Sequence, residues 1–270
     1  MKAMKKLAAL LLALAACSNA QGGAPSADPA GGTQAPAGAE FTTVEPGKLH
    51  MATNAAFPPY EMVTDDGGFE GIDVEVATAI AKKLGLELVV DDQDFTAALT
   101  SAANGQSDIV MAGVTVSDER KETLDFTDTY ATGVQVVIVK EGSDVTMDNL
   151  GEKMIGCQKG TTGYIYASDD PENGGYGEDH VIAYDNGAMA VEALKGGQID
   201  CVIIDNEPAK AFVAANEGLT LLEGNWVLED YAIGIKKGNT ALLDAVNGAL
   251  KELIADGTVQ EIVDRYIPAE

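Results

Sequence analysis

The chain has 270 residues, 46% of them apolar, enough for one large domain or two smaller ones with a real core. Its 43 acidic residues against 17 lysines and arginines leave a formal charge of −26, which argues against nucleic acid and anionic lipid surfaces as partners. Beyond the N-terminus no segment is long and apolar enough for a transmembrane helix.

Lys2, Lys5 and Lys6 form a basic start, and Leu7 to Ala16 is an apolar run too short to span a bilayer. It ends in Leu14-Ala15-Ala16-Cys17, which resembles the lipobox of bacterial lipoproteins. The resemblance implies a signal peptide over 1–16, cleavage before Cys17, and a diacylglyceryl thioether on that sulfur. Ordinary secretion with a chance cysteine is the other reading. From 17 to 46 the chain is mostly Gly, Ala, Pro, Ser and Gln, with little to bury, and is predicted to be a disordered linker.

Lys48 to Thr53 reads as a first strand. Asn54-Ala55-Ala56-Phe57-Pro58-Pro59-Tyr60 follows, and its two prolines predict an extended loop. Phe57 and Tyr60 on that stiff loop are either a packing corner or a stacking wall. Asp65-Asp66-Gly67-Gly68 is a turn. Phe69 to Asp73 leads into a helix capped by Asp73, with Ile72, Val76, Ile80 and Leu84 on its buried face and Gly85 at its end. Leu86 to Val90 is the next strand. A second helix opens at Asp92 to Phe95 and stops at Asn104-Gly105, and Ile109 to Ala112 is a short apolar strand. This alternation predicts a mostly parallel sheet covered on both faces, with binding loops at the carboxyl ends of its strands. Those loops are at Asn54, Asp92 and Gly113.

The third loop carries Gly113, Thr115 and, in a short helix expected from Asp118, Arg120. Arginine is scarce here, Arg120 and Arg265 being the two in the chain. The planar guanidinium fork is the best side-chain match for a carboxylate. Arg120, the Gly113 backbone N–H and the Thr115 hydroxyl are therefore a candidate carboxylate clamp. A surface pair with Asp118 or Glu122 is the alternative.

Gly133 to Val139 begins a second cycle. Met154 to Cys157 is a strand running into Gln158-Lys159-Gly160-Thr161-Thr162-Gly163, where a helix starts near Thr161. Thr161 and Thr162 are an anion site or an ordinary cap. Val181–Tyr184 and Asp200–Ile204 are strands, and 188–194 and 207–215 are helices. Asp205 accepts from an ammonium or caps the helix after it. A strand over 231–236 and amphipathic helices over 240–255 and 258–267 end the chain. Cys157 and Cys201 form no CxxC; buried free thiols and one disulfide both fit an extracytoplasmic chain, with free thiols the preferred reading. His50 and His180 are the only histidines, and no GxSxG, GxxxxGK[ST] or HExxH motif occurs. A calcium loop from Asp169 fails at Pro171 and His180. No catalytic residue, metal or cofactor is expected.

NAAFPPY, FEGIDVEVATAIAKKLG and AGVTVSDERKETLDFTDTY, then GCQKGTTG, GGQIDCVIIDNEPA, DYAIGIKKG and the terminal LKELIADGTVQEIVDRYI, come in a telling order. Together they resemble the type II periplasmic solute-binding proteins of amino-acid ABC transporters, over roughly Gly47 to Pro268. The resemblance implies an α/β fold, periplasmic-binding-protein-like type II, with two lobes joined by two crossover strands. Lobe 1 would be 47–133 plus 238–270 and lobe 2 134–237, closing on a free amino acid. It further implies that Arg120, Gly113 and Thr115 take the α-carboxylate with Thr161 and Thr162 from the other lobe, and that Asp205 takes the α-ammonium. Phe57 would stack on the ligand side chain, with Tyr60 or Phe69 completing the wall.

Members that bind basic ligands often carry aspartate at the position of Asn54, which here can hydrogen-bond but cannot neutralise a cation. That ranks polar neutral ligands ahead of basic ones, while Asp91, Asp92, Asp94, Glu229 and Asp230 pull the other way. The implied protein is a lipid-anchored monomer on the extracytoplasmic face of the cell membrane, partnered by a permease and its ATPase. The alternatives are a cleft enzyme of the cyclohexadienyl-dehydratase kind and a tethered amino-acid sensor.

Overall fold

The computed structural model describes residues 40–224 and 226–267, which lie in one compact unit. The signal peptide, Cys17 and nearly all of the linker fall outside the described residues. Among those described, no helix is long and apolar enough to cross a membrane.

The first half builds β1 (Lys48–Thr53), α1 (Ile72–Leu84), β5 (Glu87–Asp92), α2 (Phe95–Asn104) and β6 (Ile109–Val110). Between β1 and α1 three short strands, β2 (Ala56–Phe57), β3 (Glu61–Val63) and β4 (Phe69–Glu70), form a small antiparallel sheet. The proline loop is thus partly stranded rather than merely extended. β1 pairs in parallel with β5 on one side and β6 on the other, the expected parallel arrangement. Ile109 and Val110 have no measurable exposure, and each such side chain stabilises the fold by about 1.5–3 kcal/mol.

β7 (Leu124–Lys140) leaves this lobe for the second. There follow β8 (Ile155–Gln158), α3 (Thr162–Ser168), β9 (Val181–Tyr184), α4 (Gly187–Gly196), β10 (Cys201–Asp205), α5 (Asn206–Ala215) and β11 (Leu219–Leu221). β12 (Val227–Lys236) returns, and α6 (Thr240–Ala255) and α7 (Thr258–Tyr266) pack back on α1. The main sheet runs β5-β1-β6-β12-β7-β10-β8-β9, so β7 and β12 sit in its middle and belong to both lobes.

The two crossover strands differ in extent from expectation. β7 begins at Leu124 instead of Gly133, because the polar alternation of 124–132 is the half-buried part of the same strand. β12 pairs Val227 with Gln135 but Gly234 and Ile235 with β6, so 232–236 belong to lobe 1 and the second crossing lies near Tyr231, before the boundary drawn at 237. Register shifts flank Ala232, and such bulges bend a strand where it changes lobes.

Asp73 does not cap α1. Gly71 is the cap residue, and Asp73 is already helical and fully buried. The short helix expected from Asp118 is a single 3-10 turn, Arg120–Glu122. Cys157 and Cys201 are free and buried, and burial pushes both thiols up, that of Cys201 to about 12. Such thiols are inert at neutral pH.

Candidate functional site

The loops after β1, β5 and β6 meet those after β8 and β10. Between them lies a narrow cavity lined by Asn54, Phe57, Glu61, Phe95, Ala112, Gly113, Thr115, Arg120, Gln158, Thr161, Thr162 and Asp205. Eight of these are among the ten site residues expected from sequence. Tyr60 and Phe69 are not among them.

Arg120 turns inward from its 3-10 turn and is only 8% exposed. Nη1 donates to the Thr115 carbonyl at 2.8 Å, and Nη2 donates across the cleft to the Gly160 carbonyl at 3.3 Å. The guanidinium carbon stands 5.3 Å from the Phe95 ring centroid. Among the described residues no carboxylate forms an ion pair with it; Asp118 pairs with Lys121 instead, at 3.2 Å. The surface-pair alternative is thereby removed. Burial lowers the guanidinium pKa, and the charges of Glu229, Tyr166, Glu119 and Asp205 oppose that. A buried cation held by two carbonyls and a ring face is a receptor for an anion.

Its expected helpers are otherwise engaged. The Gly113 N–H is not open: it donates to Asp73 Oδ2 at 3.0 Å. The Thr115 hydroxyl donates to Glu229 Oε2 at 3.0 Å, which leaves it only as an acceptor. Neither donor is free for a ligand carboxylate in this conformation, because buried carboxylates of the protein itself have taken them. From lobe 2, Thr161 caps α3 by accepting from the Tyr164 N–H at 3.3 Å while its hydroxyl donates to the Gln158 carbonyl at 2.8 Å. Thr162, 4% exposed, lines the cavity, and as the first residue of α3 its N–H has no partner within the helix.

Asp205 ends β10 and does not cap α5 through its side chain. It accepts from the Tyr231 hydroxyl and, at 2.8 Å, from Gln135 Nε2. The same Gln135 nitrogen donates to Glu229 Oε2 at 3.0 Å, tying two buried acids together. Burial and the charge of Glu229 hold the Asp205 carboxyl well above the usual range, against the pull of Tyr231 and Gln135. A cation arriving here would relieve that repulsion.

Phe57 forms a wall of the cavity. Tyr60 stacks behind it with centroids 5.7 Å apart and meets Tyr231 edge-on at 5.3 Å. Tyr60 is thus a buttress, sealed off by the ring it supports. Phe69, on β4, packs against the lobe 1 core. Asn54 spends both ends of its amide on protein, donating to the Gln93 carbonyl at 3.0 Å and accepting from Gln158 Nε2 at 2.8 Å. The second bond crosses the cleft. A Cβ on Gly160 would collide with Thr96 of the opposite lobe, so the two lobes are shut.

Glu61, Phe95, Ala112 and Gln158 line the cavity without having been singled out. Phe95 and Gln158 each lie at or just beyond a strand's carboxyl end, the position that marked Asn54 and Arg120. Glu61 directly follows the proline loop.

Two lobes on one sheet, crossed by two strands and shut over a cavity that offers a guanidinium from one side and a carboxyl from the other, define a type II periplasmic-binding-protein fold. The chain belongs to the bacterial extracellular solute-binding proteins, family 3, whose profile matches residues 49–269. It is 30% identical to the probable histidine-binding protein of Neisseria gonorrhoeae over 99% of this chain and 97% of that one. It is 31% identical to the L-cystine-binding protein TcyJ of Escherichia coli K12, over 84% and 85%. A crystal structure of a P235GK mutant of ArgBP from T. maritima superposes with a TM-score of 0.75 at 34% identity, covering 83% of this chain and 96% of that one. The protein is therefore an extracytoplasmic solute-binding protein, homologous to the amino-acid-binding components of ABC transporters.

Proposed function

We propose that the protein captures a polar or basic L-α-amino acid between its lobes and delivers it, unaltered, to a membrane permease driven by an ATPase. The observation that carries this reading is the unpaired, buried guanidinium of Arg120 across the cavity from the carboxyl of Asp205. One zwitterion satisfies both. Arg120 and the Thr162 N–H take its carboxylate, and Asp205 takes its ammonium, with Glu229 behind. Each lobe then holds one charge of the same molecule, so the closed form is stabilised when ligand is present. Without ligand, closure rests on such bonds as Asn54 to Gln158 and Arg120 to the Gly160 carbonyl. Relatives named for histidine, cystine and arginine are consistent with one charge clamp serving several side chains.

The proposal includes a thioether-linked lipid on Cys17, which keeps the body beside its permease through the linker. Cys17→Ala is expected to move the protein from the membrane fraction to the soluble one.

The function is tested by thermal shift and calorimetry against the twenty standard amino acids, since a ligand bound only by the folded state raises its stability. Arg120→Ala is expected to weaken binding by at least about 100-fold, the cost of leaving a carboxylate unpaired in a closed site. A full-size shift from the variant, or recovery of a chemically changed ligand, would overturn the reading.

A further inference from the structure

Two buried acids face each other across a single side-chain amide. Asp205 lines the cavity from lobe 2, and Glu229, on the crossover strand β12, stands behind it; they are 7% and 4% exposed. Gln135, on the other crossover strand, donates from the same Nε2 to Asp205 Oδ2 at 2.8 Å and to Glu229 Oε2 at 3.0 Å, so the two carboxyls are close neighbours. The Thr115 hydroxyl adds a donor to Glu229 Oε2, and the Tyr231 hydroxyl adds one to Asp205 Oδ1. A Cβ at Gly133 would intrude on both Tyr231 and Asp205, so the glycine is what admits that contact. Glu229 Oε1 and Gln135 Oε1 are buried and receive no donor.

The charges around the pair do not balance it. Tyr231 from β12, Tyr60 from the proline loop and Tyr166 from α3 bring hydroxyls, and Glu61 from β3 brings a further acid. Arg120 feels both Asp205 and Glu229 as favourable charges, but one guanidinium cannot neutralise two carboxylates, and a ligand carboxylate would claim it. Two carboxyls this close in a closed space cannot both stay ionised unless a cation joins them. Burial first, and then the charge of Glu229, hold the Asp205 carboxyl above its ordinary range.

Resting on the amino-acid reading of the site, we propose that Glu229 is a specificity-determining residue: set against Asp205 through Gln135, it lets the cleft shut only over an α-ammonium or over a proton taken up in its place. Asp205 alone, with Tyr231 and Gln135 donating to it, is compatible with closure in the absence of a counterion. Glu229 removes that tolerance. An amino acid brings a cation and N–H donors together. A carboxylic acid of the same shape without the amine neutralises Arg120 and leaves the two acids confronted, so it closes the lobes only by drawing a proton from solvent onto the pair. Selectivity here is a penalty on the wrong ligand as well as an attraction for the right one.

The test is calorimetry of the full-length protein with three matched pairs: L-glutamine and glutaramic acid, L-arginine and 5-guanidinopentanoic acid, L-histidine and imidazolepropionic acid. The second member of each lacks only the α-amine. Each is titrated at pH 7.5 and 5.5 in two buffers of different ionisation heat. The desamino acid is expected to take up about one proton on binding at pH 7.5, and the amino acid none. The affinity ratio of amino acid to desamino acid therefore falls by up to about tenfold per unit as pH falls. Glu229→Gln keeps the size of the side chain and an oxygen for Thr115 and Gln135. It is expected to lower that ratio at pH 7.5 by ~10- to 100-fold and to flatten its pH dependence. A merely structural residue would weaken both members of a pair alike and leave the ratio unmoved. A wild-type ratio that is the same at both pH values, or an unchanged ratio in the variant, would overturn the inference while leaving the amino-acid function intact. If the variant does not fold, the wild-type ratio and proton count decide alone. If the wild-type protein binds no amino acid at all, the functional reading fails first.

Discussion

Gly113 shows how little slack the anion end of the cleft has. Its φ is +53°, and a Cβ there would stand 2.7 Å from Cε1 of Phe57. Gly113→Ala combines a left-handed backbone with a displaced wall, at a cost of about 1–3 kcal/mol. Calorimetric unfolding is expected to show a lower Tm, and the ligand-induced shift to shrink because the ring moves into ligand space. A variant with wild-type Tm and an undiminished shift would show that the ring yields freely. Arg120 was legible because arginine is rare in this chain, and Asp205 because it ends an apolar strand. Glu61 and Asp73 were not, since one acid among 43 carries no signal. The Gly113 and Thr115 donors were counted correctly as donors. Their prior engagement by Asp73 and Glu229 depends on contacts 40 and 114 residues apart, which no local pattern reports.

Among the elements, the crossover strands and the loops they carry control opening. Gln158→Ala removes the side-chain bond from β8 to Asn54, worth about 1 kcal/mol, and shifts the empty protein toward the open form by roughly fivefold. Small-angle scattering is expected to show a larger radius of gyration without ligand and the wild-type value with it. An unchanged radius in the empty variant would mean that other contacts hold the lobes. Closure also has a natural reporter. Trp226, the only tryptophan, directly precedes β12, stacks on Tyr176 at 6.1 Å and meets Tyr166 edge-on at 6.3 Å. Tyr166 feels the charges of Glu229 and Arg120, so tryptophan emission is expected to change on binding. Most strands and helices of the main sheet were readable from hydrophobic periodicity and glycine stops. The first half of β7 was not, because three consecutive polar residues, Thr127-Asp128-Thr129, interrupt the alternation that Leu124 to Phe126 begins. The two-residue strand β2 was too short for any period to show.

For the molecule as a whole, the buried acids set an unusual pH response. Burial raises Asp73 to about 6, and Glu61 and Asp205 are raised as well. A carboxyl whose folded pKa is raised holds its proton more tightly in the folded state. Its stabilising contribution is complete below the unfolded value near 4 and is lost as pH rises through the folded value. The ligand-free protein is therefore expected to be more stable near pH 5 than near pH 7.5, and the formal charge of −26 adds repulsion in the same direction. Exposed carboxylates held down by lysine, such as Asp144 by Lys153, are screened by solvent and count for little. Thermal unfolding between about pH 4.5 and 8 checks this; a Tm that climbs steadily with pH would contradict it. The two-lobe plan was legible from the order of motifs. The crossing near Tyr231 was not, because it depends on which neighbour each half of one strand finds.

Because β12 lies between β6 and β7, and α6 and α7 close over α1, the first lobe lacks its central neighbour until the final fifth of the chain exists. A ribosome has made β1, β5 and β6 long before the strand that completes their sheet emerges. Lobe 2, contiguous from β8 to β11, has no such wait. Folding of the nascent polypeptide is thus held back by its own connectivity, and an unfolded precursor is the form that translocation machinery can thread.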